Sequence, residues 1–114
     1  MSSKPSRGEV WLVNFDPVQG HEQGGKRPCI VLSDDLFNHG PAELLVVVPI
    51  TSKQRSIPMR VQIDLPEGGL KSTSFAMPEM IRAVSLERLI QRWGIVSAEC
   101  MNQIAESTRV LLRL

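Results

Sequence analysis

Hydrophobic residues fall along this chain in short runs, and most of them keep the period of a strand. From Gly8 to Phe15 the run GEVWLVNF sets Val10, Leu12 and Asn14 on one face and Trp11, Val13 and Phe15 on the other. That predicts a strand covered on both sides, which Asp16-Pro17 ends. Pro28 to Ser33 is a short β-branched run, and Ser33-Asp34-Asp35 then supplies a cap for one helical turn through Leu36 and Phe37 before Asn38-His39-Gly40-Pro41 breaks it. Leu44 to Ile50 is the most apolar segment and predicts a central strand. Pro58 to Leu65 alternates, with Met59, Val61, Ile63 and Leu65 on one side and Arg60, Gln62 and Asp64 on the other, so this strand should have one wet face. After the turn Pro66-Glu67-Gly68-Gly69, the segments Ser74 to Met77 and Ile81 to Val84 predict two more short strands or one bent strand, because Pro78 cannot donate in a central ladder.

The last third changes period. Ser85 ahead of Leu86-Glu87-Arg88-Leu89 predicts one capped helical turn, and Gln91 to Val96 a final strand. From Ser97 onward, Met101, Ile104, Ala105, Thr108, Leu111 and Leu112 recur at helical spacing behind a Ser cap, with Glu99 in the first turn. Six or seven short strands and one terminal amphipathic helix give a mainly β fold with some α, an α+β chain whose sheet curls into a small barrel.

At 114 residues and 42% hydrophobic, the chain fits one core. The polar opening, residues 1–6, reads as a flexible arm, and 7–114 as a single domain. A formal net charge of +1 argues against coating nucleic acid by bulk charge, so any nucleic-acid site must be a local patch. Cys29 and Cys100 have no zinc-like spacing and read as inert core thiols. No start resembling a signal peptide and no membrane-length apolar run occurs, so a cytoplasmic protein is expected. A P-loop, a dinucleotide fingerprint and a metal-spaced cluster are all lacking, and no metal or other cofactor is expected. Aromatic residues are only 4%, with no Tyr, which favours a site of shape and hydrogen bonds over a stacking platform.

Two loops concentrate chemistry. The first is Gly20-His21-Glu22-Gln23-Gly24-Gly25-Lys26-Arg27-Pro28, where two glycines let backbone approach a ligand. The second is Pro49-Ile50-Thr51-Ser52-Lys53-Gln54-Arg55, placed directly behind a buried run. Arg27 can clamp two phosphate oxygens and stabilise negative charge on a pentavalent phosphate, against the plainer reading of a surface ion pair. Thr51 can bond a phosphate oxygen or orient a 2′-hydroxyl, or simply form a turn. His21 has the ordinary pKa of a general base near neutrality, while His39 reads as a solvated turn residue. Glu22 and Glu79 are candidates for the other half of an acid–base pair, and Lys26, Lys53, Arg55 and Arg60 for tracking a backbone, although each also reads as solvated surface. Trp11 and Trp93 lie in strand patterns and read as core.

Taken together, RGEVWLVNFDPVQGHEQGGKRPCIVLS, VVVPITS and EMIRAVSLERL resemble the MazF/PemK family of toxin endoribonucleases from toxin–antitoxin systems. The linked motifs R-G-E-[VI]-W, G-x-E-Q-G-G-x-R-P and V-P-[IV]-T-S run in this order over nearly everything after the arm. The resemblance implies an SH3-like barrel and a homodimer. It also implies metal-independent, sequence-specific cutting of single-stranded RNA, in which attack by the 2′-hydroxyl leaves a 2′,3′-cyclic phosphate and a 5′-hydroxyl. By motif position the catalytic residues fall on Arg27 and Thr51, and the RNA-binding loops on Glu22, Gln23, Gly24, Gly25 and Lys26 and on Ser52, Lys53, Gln54 and Arg55. One branch of the family leans on a His that His21 matches, together with an Arg-x-Asp pair. Here Met77 and Glu79 stand at the positions of that pair, and Met80 where a base-reading Gln is frequent. The acid–base assignment therefore lies between an Arg27/Thr51 centre and one assisted by His21 and Glu79. The resemblance further implies an antitoxin whose acidic C-terminal segment covers the RNA groove, with Lys26, Lys53 and Arg55 meeting its carboxylates.

Two other readings share the fold: a non-enzymatic gyrase poison of the CcdB type, which would not need E-Q-G-G-x-R-P with P-I-T-S, and a catalytically inactive RNA-binding module.

Overall fold

The structure, a computed structural model, describes residues 4–16 and 24–114. Seven antiparallel strands are present: β1 (Glu9–Asn14), β2 (Lys26–Val31), β3 (Leu44–Thr51), β4 (Val61–Ile63), β5 (Ser74–Ala76), β6 (Arg82–Ser85) and β7 (Leu89–Ile95). A four-residue helix α1 (Asp35–Asn38) follows β2, and α2 (Ala98–Leu112) ends the chain. The sheet runs β4-β5-β3-β2-β1-β7, with β6 also pairing β3. It is strongly curled and barrel-like but not closed, since β4 and β7 remain its two ends.

Both faces of the central strands are covered, as continuous apolar runs require. Toward α2, Val10, Ile30, Val48, Ile50 and Ile63 pack with Cys100, Met101 and Ile104. On the opposite face Val13, Phe15, Cys29, Val31, Leu45, Val47 and Val84 form a second cluster. Alternation along β2 and β3 divides neighbours between the two clusters, Ile30 from Val31 and Val47 from Val48. The predicted caps form: Asp34 accepts from the Leu36 N–H at 2.9 Å, and Ser97 from the Cys100 N–H at 3.1 Å.

Three local expectations change. The alternating run from Pro58 pairs only over Val61–Ile63, because Met59 adopts φ 76° and the chain turns there. Leu111 and Leu112 are exposed, and the buried stripe of α2 ends at Thr108, whose Oγ1 donates back to the Ile104 carbonyl at 2.8 Å. The predicted flexible arm is docked over its described part. Pro5 is buried, its carbonyl lies 2.9 Å from His39 Nε2, and Lys4 Nζ donates to the His39 carbonyl at 3.2 Å.

One wall needs glycine. A Cβ on Gly69, at φ 71°, would lie 2.2 Å from the Trp93 carbonyl oxygen, and one on Gly94 2.7 Å from the Gly68 carbonyl carbon. Backbone therefore rests directly on backbone, and this contact fixes β7 against the turn before Leu70.

Glu9 ties the chain start to the sheet. Burial alone would raise its carboxyl pKa, but hydrogen bonds from Trp11 Nε1 (3.0 Å), Arg92 Nε (2.8 Å) and the Ser6 N–H (2.8 Å), with the Arg92 charge, hold it below the ordinary value. A carboxyl depressed in the folded state stabilises above its unfolded pKa and loses that contribution as pH falls through the folded one. Glu9→Gln should therefore lower the urea midpoint at pH 7, and the gap to wild type should close as pH drops through the acid range below the ordinary glutamate pKa.

Candidate active site

The β2–β3 ladder pairs Cys29 with Pro49, Ile30 with Val48 and Val31 with Val47. Continuing that register by two residues sets Arg27 opposite Thr51. A two-residue step keeps both side chains on the face that Cys29 occupies, the face away from α2. Arg27 also pairs with Val13 on its other side, so its backbone is fixed between two strands. Thr51, at the end of β3, accepts the Lys53 N–H on Oγ1 at 3.2 Å, which folds the next residues back toward the strand end.

Two clefts meet at this pair. A cleft of about 200 Å³ is lined by Arg27, Thr51, Lys53, Arg55, Arg60 and Met77. A broader one of about 450 Å³ shares Arg27, Thr51 and Lys53, and adds Gly24, Lys26, Ser52, Lys71, Ser72 and Trp93 among its lining. Six cations thus line the two clefts, and neither described lining holds a carboxylate. In a chain of net charge +1 this is strong segregation, and it makes the clefts a local anion site. Arg27 Nε is buried with no hydrogen-bond partner among the described residues. A guanidinium, an ammonium and a hydroxyl so placed can hold a phosphodiester and stabilise the added negative charge of its transition state.

Of the residues singled out in the sequence, the fold brings together Arg27, Thr51, Gly24, Lys26, Ser52, Lys53, Arg55 and Arg60. Gly25 lies outside both linings, with φ 77° and its N–H given to Asp16 Oδ1 at 2.8 Å, and Gln54 lies outside them too. His21, Glu22 and Gln23 fall outside the described residues. Glu79 is separate from both clefts: its Oε2 accepts from Arg60 Nε at 2.8 Å and lies 2.7 Å from Nη2, and it lines a cavity of about 390 Å³ with Phe15, Pro49 and Met80. Lys71, Ser72 and Trp93 join the site unannounced. Trp93 packs on the core as its pattern predicted, yet also presents an aromatic surface to the broader cleft. Cys29 is no nucleophile, because burial pushes its thiol far above the ordinary value and the nearby charges of Arg82 and Arg27 offset this only in part. Among the described residues no group of three or more His, Cys, Asp or Glu is placed to hold a metal ion.

The chain is similar to known proteins in both sequence and fold. The family described as PemK-like, MazF-like toxin of type II toxin–antitoxin system matches residues 6–112. The chain is 35% identical over 113 residues to Endoribonuclease MazF9 of Mycobacterium tuberculosis, covering 95% of this chain and 96% of that protein. Its fold superposes on the crystal structure of MazF from Deinococcus radiodurans with a TM-score of 0.86 at 25% identity, covering 99% and 100% of the two chains. An endoribonuclease from a mycobacterial species, solved in complex with its cognate antitoxin, has a TM-score of 0.81 at 24% identity, with 96% of each chain covered.

The charge arrangement has a measurable signature. Replacing Lys53 or Arg55 by Gln should weaken binding of a single-stranded oligonucleotide and reduce the slope of log K against log salt by about 0.7 for each phosphate left unneutralised. Fluorescence anisotropy across a salt series reads both effects.

Proposed function

Because the chain belongs to the PemK-like, MazF-like toxins of type II toxin–antitoxin systems, we propose that its cleft between Arg27 and Thr51 is the place where it cuts RNA. The protein is a toxin endoribonuclease. The observation that carries the site assignment is Arg27, its buried Nε without a partner among the described residues, beside Thr51 in a cationic cleft whose described lining has no carboxylate.

In this reading the RNA backbone lies along the Lys26, Lys53 and Arg55 side of the clefts, and Thr51 Oγ1 anchors the scissile phosphate. The 2′-oxygen attacks phosphorus, its proton passes to a base, the bond to the 5′-oxygen breaks, and that oxygen takes up a proton. The products are a 2′,3′-cyclic phosphate and a 5′-hydroxyl. Arg27 stabilises the charge that accumulates on the phosphorane, because a guanidinium stays protonated at any working pH and is a poor proton donor. Proton transfer falls to another group, and His21 has the chemistry for it. The 2′-hydroxyl requirement confines cutting to RNA. No step calls for a metal.

The partner is a cognate antitoxin. Its acidic C-terminal segment would lie over the same cations that hold RNA, so that inhibition is by occlusion. The active species is a homodimer of single domains spanning residues 7–114, working in the cytoplasm; no helix among the described residues is long and apolar enough to cross a membrane.

Purified protein incubated with a long unstructured RNA in EDTA should give discrete cuts ending in 2′,3′-cyclic phosphate. Arg27→Ala should abolish them while keeping the far-UV spectrum, and an active Arg27→Ala protein would remove Arg27 from the mechanism. His21→Ala tests the base: loss of roughly 10²-fold or more near neutral pH assigns it to His21, whereas a rate like wild type removes His21 from that role.

A further inference from the structure

We infer that Arg60 is a second guanidinium acting on the scissile phosphate, and that Glu79 is the positioning residue that holds it there. The inference rests on the Arg27–Thr51 cleft being the cleavage site.

Arg60 differs from the other flanking cations. Lys53 and Arg55 are exposed, as suits residues that follow a mobile polymer, whereas the Arg60 side chain is only 11% exposed and still lines the small cleft with Arg27 and Thr51. Its orientation is fixed from behind. Nε donates to one oxygen of Glu79 at 2.8 Å, and Nη2 lies 2.7 Å from the same oxygen as its ion-pair contact. Glu79 does not line the cleft but the neighbouring cavity beside Phe15 and Met80, so Arg60 stands between the carboxylate and the space where phosphate would sit. A guanidinium has five N–H donors, and the one hydrogen bond Arg60 makes among the described residues is that from Nε to Glu79. The side chain of Met77, buried in the cleft lining, offers no hydrogen-bonding oxygen or nitrogen.

The arrangement resembles a loaded clamp. A charged donor already aimed, in a site shielded from water, needs no reorganisation when charge develops in front of it. Glu79 supplies the aim without placing its own negative charge in the cleft, where it would repel phosphate. Were the pair only a strap between the segment before β4 and the turn Pro78–Met80, nothing would require Arg60 to line the same small cleft as Arg27.

The test is single-turnover cleavage of an RNA with one cut site, alongside the Kd for the same RNA carrying a 2′-deoxy sugar at that site. Arg60→Met should slow cleavage by roughly 10²- to 10³-fold, as expected for loss of a donor to developing charge, and leave Kd nearly unchanged. Glu79→Gln should slow it less. The double variant Arg60→Met/Glu79→Gln should be no slower than Arg60→Met alone, because Glu79 acts only through Arg60. Arg60→Lys should restore only part of the rate, having lost the fork. Three outcomes overturn the inference: an Arg60→Met rate within about threefold of wild type; a double variant that regains the lost rate, which would trace the loss to a stranded Glu79 carboxylate; or weakened Kd with an unchanged rate, which would make Arg60 a backbone-tracking cation. Arg27→Ala run in parallel separates the two readings. If it cuts like wild type, the site assignment falls; if it is dead while Arg60→Met is active, only the present inference falls.

Discussion

The register between β2 and β3 is the constraint on which the site depends. Arg27 and Thr51 are twenty-four positions apart in the chain and meet only because Cys29 pairs with Pro49. A slip of one residue would send one of the two to the opposite face of the sheet, toward α2. The register is in turn held by burial on both sides. Ile30 and Val48 are committed to the cluster under α2, and Cys29, Val31 and Val47 to the other. The two apolar faces thus place the two polar residues, although neither lies in the core.

How far this was legible in the sequence depends on the range of the interaction. Strand periods, the Asp34 and Ser97 caps and the break after Asn38 are local, and each is where its residues predicted. The early end of α2's buried stripe and the turn at Met59 are not local. Leu111 and Leu112 keep helical phase but run beyond what the sheet covers, and alternation from Pro58 gives no sign of the positive φ that removes Met59 from the ladder. Arg27, Thr51, Lys26, Lys53 and Arg55 were visible as candidates because they crowd two short loops. Lys71, Ser72 and Trp93 were invisible, brought to the site by the turn whose glycines pack on the β7 backbone. The Arg60 and Glu79 contact spans nineteen positions between two segments that look independent, and only the fold shows the two as one unit.

On the proposed reading, charge segregation lets one cleft serve two ligands. With thirteen basic and twelve acidic side chains, the molecule as a whole has no preference for a polyanion, yet every charged side chain in the described lining around Arg27 is basic. RNA phosphates and the carboxylates of an acidic peptide present the same sign at similar spacing. Occupation by one excludes the other without any change of shape in the protein.

Arg27 Nε has a consequence for stability. A buried donor that finds no acceptor lowers folding stability, by about 1–3 kcal/mol for an ordinary polar group, and among the described residues none meets Arg27 Nε. Exchange of Arg27 for an apolar residue would then cost the fold little while removing the cation, so that activity and stability do not stand or fall together at this position.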